Sequence, residues 1–164
     1  MLSSRYLLIP FVLQMLCMAG DELYFHRQRK LTRWERLGHP LDTLTVLLCF
    51  TWLLTVPPST LSLLTYTGLC IFSCLFITKD EFVHQKYCQA GEHWLHALLF
   101  ILHPLLFICA GLLWYTINHQ ANSFLVLEGF ERTFLVGNTC LIFLFGMYQL
   151  LYWNFLWHPV AAQK

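Results

Sequence analysis

Two groups of acids and histidines carry the residue types that hold catalytic metal ions. The first runs Asp21, Glu22, His26, Glu35, His39; the second runs Asp80, Glu81, His84, Glu92, His93, His96. The order Glu, His, Glu, His occurs in both. Carboxylate oxygens and imidazole nitrogens together suit iron, manganese or zinc better than copper(I). Glu22, His26, Glu35, His39, Glu81, His84, Glu92 and His96 are enough donors for two metal ions, with positions left for water or oxygen. Iron is the expected metal, zinc or manganese the alternatives. Asp42 and His93 are additional ligand candidates. Asp21, Asp80, His93 and His103 are candidates for moving protons or for orienting the ligands from behind.

The spacing supports a shared site. Glu22/His26, Glu35/His39 and Glu92/His96 are four residues apart and Glu81/His84 three apart, so each pair lies on one face of a helix. In ligand chemistry this resembles the carboxylate-bridged di-iron proteins, whose four-helix bundles project Glu and Glu-x-x-His ligands inward. Only Glu81-x-x-His84 has that motif, and the clustered His-x-x-His-His boxes of membrane desaturases and hydroxylases are absent. His103 follows His96 by two helical turns, and an ionisable group at that membrane depth is a functional candidate by default. The competing reading makes the clusters interfacial ion pairs, with Glu35 matched to Arg29, Arg33 or Arg36. Cys88 alone among the cysteines sits in a polar loop; the others read as small hydrophobes in apolar runs.

Chains of this composition are not ordinary soluble domains. Of 164 residues, 57% are hydrophobic and only 12% charged, with a net charge of +1, which gives no bulk attraction to nucleic acid. Five segments approach the roughly 20 apolar residues that a membrane crossing needs: residues 6–25, 40–56, 60–78, 94–116 and 133–157. The expected fold is therefore all-α, an integral membrane bundle of five transmembrane helices in a single domain. Pro57-Pro58 separates the second span from the third. Trp94, Trp114, Tyr115, Tyr152, Trp153 and Trp157 crowd the span ends as an interfacial belt would. Arg27, Arg29, Lys30, Arg33 and Arg36 follow span one, and Lys79 and Lys86 follow span three. By the positive-inside rule these loops are cytoplasmic, the N-terminus outside and the C-terminus inside. The first segment also has signal-peptide features, with Ala19-Gly20 at its end. Cleavage there would put the arginine-rich loop on the wrong side, so a retained span is preferred.

With this topology both acid–histidine groups meet at the cytoplasmic face, on two repeated helical hairpins (spans 1–2 and 3–4) plus a fifth span. The functional expectation is a membrane-embedded oxidoreductase of hydroxylase or desaturase type, with a dinuclear, di-iron site and a lipid or other apolar substrate. A divalent-metal transporter or sensor, a zinc-dependent membrane hydrolase and a non-catalytic assembly protein are the alternatives; haem on His39, His96 or His103 is disfavoured by the dense acids. Arg27, Arg29, Lys30, Arg33 and Arg36 are expected to meet anionic lipid headgroups, and a homo-oligomer is compatible with the pattern. No Gly-rich phosphate loop or Gly-x-Ser-x-Gly elbow occurs. Glu128 and Arg132 read as a surface pair, and Asn138, Gln149 and Asn154 as hydrogen bonds between helices.

Overall fold

Apolar runs of this length can satisfy their backbone in a membrane only as helices, and helices dominate the structure. The computed structural model describes residues 2–28, 31–119 and 125–157, without the side chains of Leu2, Asp80, Val83, Lys86 and Tyr87; Arg29 and Lys30 lie outside the described residues. Five helices are long and apolar enough to cross a membrane: α1 (Ser4–Gln28), α2 (Arg33–Thr55), α3 (Thr60–Lys79), α5 (Ala90–Asn118) and α6 (Glu131–Leu156). A short helix, α4 (Glu81–Tyr87), joins α3 to α5. Leu61, Leu64, Leu75, Ile101 and Leu144 are exposed along the outer surface, the face that lipid would cover.

Local chemistry places the helix ends. Thr32 and Glu35 form a capping box: the Thr32 hydroxyl accepts from the Glu35 amide and the Glu35 carboxylate accepts from the Thr32 amide at 2.8 Å. This starts α2 two turns before the apolar run expected from residue 40, and brings Glu35 and His39 into the helix. Ser59 and Ser62 cap α3 the same way, directly after Pro57-Pro58. Pro40 lies inside α2 and cannot donate to the carbonyl of Arg36. Asn154 Nδ2, from α6, takes that carbonyl at 3.1 Å.

The core joins α1, α2, α5 and α6 around Phe11, Cys49, Phe50, Phe107, Ala110 and Leu113. Close helix approach needs small residues. A Cβ on Gly146 of α6 would stand 3.0 Å from Thr43 Cγ2 of α2, and one on Gly111 of α5 3.0 Å from Tyr66 Cε1 of α3. Beside Gly146, Thr43 Oγ1 donates to Gln149 Oε1 at 2.7 Å. The expected aromatic belt is only partly one. Trp94 is exposed, whereas Trp114 and Trp153 are buried in the protein; the Trp114 indole donates to the Val56 carbonyl at the end of α2.

The end of the bundle remote from the acid–histidine groups is strapped by polar contacts. Residues Leu2–Ser3 (β1) pair in parallel with Leu125–Val126 (β2). Glu128 pairs with Arg5 at 2.5 Å and accepts from Ser3 Oγ, in place of the expected pairing with Arg132. Glu131 accepts from Ser4 Oγ and from the amides of Glu128 and Gly129.

A candidate metal centre of carboxylates and imidazoles

At the opposite end, α1, α2, α4 and α5 bring both acid–histidine groups into one buried cluster. The last turns of α1 carry Asp21, Glu22 and His26. Asp21–Phe25 is a π-helical turn in which the His26 amide bonds to the Asp21 carbonyl, five residues back. In a regular α-helix residues five apart diverge around the axis. The extra residue of the π turn turns Asp21 onto the same face as His26, a distortion frequent at functional sites. His26 Nε2 lies 3.2 Å from Asp21 Oδ2 and its Nδ1 3.3 Å from Glu22 Oε2. Glu92 Oε1, from α5, is 4.0 Å from the same Nε2. His96 Nε2 reaches Asp21 Oδ1 at 3.3 Å, while the His96 Nδ1 atom is buried with no hydrogen-bond partner among the described residues.

From α2, Glu35 uses Oε2 in the capping box and turns Oε1 toward His84 Nε2 at 3.6 Å. His39 stacks on His26, with ring centroids 4.7 Å apart, and His84 lies against His96 at 4.2 Å. The four imidazoles thus run as a continuous row, His26, His39, His84, His96. Among the described residues, three sets of donor atoms, each with its atoms within 4.8 Å of one another, could hold a metal ion: Asp21, His26, Glu92 and His96; Glu35, His39 and His84; and His84, Cys88 and His96. The first and second share no residue, so two ions could occupy them together; the third draws on both.

Charge balance bears on what such a cluster could hold. A neutral imidazole has one N–H, yet both ring nitrogens of His26 face carboxylate oxygens. Asp21, Glu22, Glu35 and Glu92 bring four carboxyl groups into a buried site. Imidazolium rings or bound cations are two ways to balance their charge. Unpaired buried charge is far costlier than either.

The arrangement differs in detail from the expected ligand set. Asp21 enters the first donor set. Glu22 stands behind it, accepting from the Trp153 indole of α6 and facing His26 Nδ1, which is the geometry of a residue that orients a ligand. Glu81 is exposed and His93 half-buried, and neither belongs to the three donor sets; the Asp80 side chain lies outside the described residues. Asp42 is held by Lys79 Nζ at 2.7 and 2.8 Å. His103 is deeper, bonded to Gln14 Nε2 at 3.3 Å through Nδ1 and to Ser73 Oγ at 3.0 Å through Nε2. Sequence reasoning missed Trp153, placed beside Glu22 by a second π-helical turn, Tyr152–Leu156. It also missed the capping role of Glu35, although Thr32-x-x-Glu35 is a recognisable capping-box signature.

A cavity of about 500 Å³ opens beside the cluster, within the usual range for small-molecule sites. Asp21, His26, His39, His84 and His96 line one part and Leu99, Phe100, Leu141, Ile142 and Phe145 another. Leu141 precedes Trp153 by twelve residues, so the apolar part extends roughly 18 Å along α6 from the cluster. Compared with family models, with curated proteins and with solved structures, the chain matches none.

Proposed function

We propose that this chain is a membrane-embedded metalloenzyme whose cluster holds two metal ions, iron in the leading reading, and which oxidises an apolar substrate by hydroxylation or desaturation. The observation that carries the proposal is the pair of independent donor sets, buried side by side and open to an apolar cavity. Asp21, His26, Glu92 and His96 would hold one ion and Glu35, His39 and His84 the other. Such a centre supplies oxygen activation: hydroxylation takes one C–H bond, one O2, two electrons from an external donor and two protons, and yields one C–OH and one water. The protein's part is to bind the ions, exclude bulk water and present the substrate from the membrane side. In this reading the cluster faces the cytoplasm, with the N-terminus outside. The hairpins α1–α2 and α3–α5 are the two halves of a loose repeat, and Arg27, Arg33 and Arg36 lie at the anionic headgroup level.

Elemental mass spectrometry of detergent-purified protein tests this directly. Two irons per chain are expected, with loss in Glu92→Ala and His96→Ala while both variants keep their helical circular dichroism. Metal-free wild-type protein, freshly prepared and folded, would end the metalloenzyme reading. A second reading follows from Cys88. Its grouping with His84 and His96 is a thiolate–imidazole set that suits zinc, and two bound zincs would point to a hydrolase or a zinc sensor.

A further inference from the structure

The third donor set, His84, Cys88 and His96, is built differently from the other two. Both of its histidines are shared: His84 belongs also to the set with Glu35 and His39, and His96 to the set with Asp21, His26 and Glu92. A neutral imidazole has one lone pair to offer, because its other ring nitrogen carries the proton. With both other sets filled, His84 and His96 are engaged there and Cys88 has neither. An ion in the third set therefore already holds one ligand of each of the others. Exposure sets the third apart as well. Asp21, His26, Glu35, His84, Glu92 and His96 are buried, while Cys88 and His39 are the half-buried donors. Of these two, among the described residues, His39 lines the cavity and Cys88 does not. Cys88 stands just past the end of α4, its amide bonded to the His84 carbonyl at 2.9 Å, beside the exposed Gln89. His96 turns Nε2 to Asp21, and its buried Nδ1 is a donor atom that hydrogen bonding among the described residues leaves over.

We infer that His84, Cys88 and His96 form the loading site of the metal centre, where a divalent ion is first caught and from which it passes to the two other sets by exchange of ligands. This rests on the proposed function for the two bound ions alone, and not on their redox chemistry. Capture releases the thiol proton to water as the sulfur–metal bond forms. Transfer reverses this: the sulfur–metal bond breaks, a carboxylate oxygen takes its place, and the thiolate regains a proton. The oxidation state of the ion does not change. The first ion leaves three donors for four, keeping His96 and gaining Asp21, His26 and Glu92. That withdraws His96 from the loading site, so the thiol holds the next ion with His84 alone. The second ion is then better served by Glu35, His39 and His84, whose carboxylate also suits iron or manganese better than a thiolate does.

Rapid mixing of cobalt(II) with chelator-stripped, full-length protein in detergent tests this, because a thiolate ligand gives cobalt a charge-transfer absorption in the near ultraviolet that carboxylates and imidazoles do not. The band is expected to rise on mixing and then to vanish, with two cobalt ions per chain at the end. In Cys88→Ala the band is expected never to appear and uptake to slow several-fold, while the final count stays at two, which also shows that the variant folds. A band that persists at the end point would make Cys88 a permanent ligand. Uptake as fast in Cys88→Ala as in the wild type would give the thiol no part in loading. Either result overturns the inference, and two bound ions in the same samples would leave the metal centre standing. Wild-type protein that binds no cobalt would end the metal centre and its loading site together.

Discussion

At the residue scale, the cluster owes its arrangement to side chains with two duties. Glu35 caps α2 with one oxygen and faces His84 with the other. Glu22 takes the Trp153 indole on one oxygen and faces His26 Nδ1 with the other, fixing which His26 nitrogen is left for an ion. Groups that orient ligands in this way are typically worth 10–100-fold in metal affinity. If the proposed metal is bound, Trp153→Phe is expected to keep it but to release it to a competing chelator at roughly 10–100-fold lower chelator concentration. Release at the wild-type concentration would mean that the indole only fills space. The pairing of Glu22 with His26 was legible from four-residue spacing. The entry of Asp21 into the donor set was not, because it depends on a π turn, and nothing in residues 21–25 distinguishes five-residue from four-residue hydrogen bonding.

At the element scale, two polar devices hold helices whose apolar faces alone specify no partner. The first is the Asn154 amide on the carbonyl that Pro40 leaves open. Asn154→Leu should destabilise the fold by about 1–3 kcal/mol, the cost of an unmatched buried carbonyl. In a Pro40→Ala background, where the helix makes its own bond to Arg36, the same substitution should cost much less. Thermal unfolding of the four proteins of this cycle in one detergent gives the coupling; additive effects would show that Asn154 acts elsewhere. The second device is the strap at the far end. Hydrogen bonds from Arg5 and then Ser3, with the guanidinium charge, hold the Glu128 carboxyl below its ordinary value of 4.5. A carboxyl whose folded value is depressed stabilises the fold above its ordinary value, and that contribution is lost as pH falls through the folded value. A carbon-13 titration of Glu128 should have its midpoint below 4.5 and move up in Arg5→Ala. Hydropathy located these helices but not their starts: α2 begins at Arg33 behind a capping box, and α5 begins at Ala90 without a side-chain cap, so Glu35, His39, Glu92 and His96 are all helical.

For the whole molecule, the cluster gathers carboxyl groups and imidazoles in a buried site, and the proposed metal ions would add to the stability of the fold. Ions bound to the native state alone stabilise it by mass action. Removing them with a membrane-impermeant chelator should lower the unfolding temperature, and restoring iron should recover it. An unchanged melting curve in protein shown to have lost its metal would mean that bound metal contributes nothing to the stability of the fold.

Composition and hydropathy alone determined that this is an all-helical chain with five helices able to cross a membrane, because backbone groups in a bilayer have no other way to be satisfied. Residue type and spacing marked out the acids and histidines, because side chains three or four apart must share a helix face. Tertiary structure decided which of them meet. It gathered Asp21, His26, Glu35, His39, His84, Glu92 and His96 into donor sets and left Glu81 exposed at the first turn of α4. It drew two tryptophans from the expected interface into the interior, where an indole N–H finds a buried acceptor. It also opened the cavity between α1, α5 and α6, since an unfilled space is a property of packed surfaces and has no signature in the residues that line it.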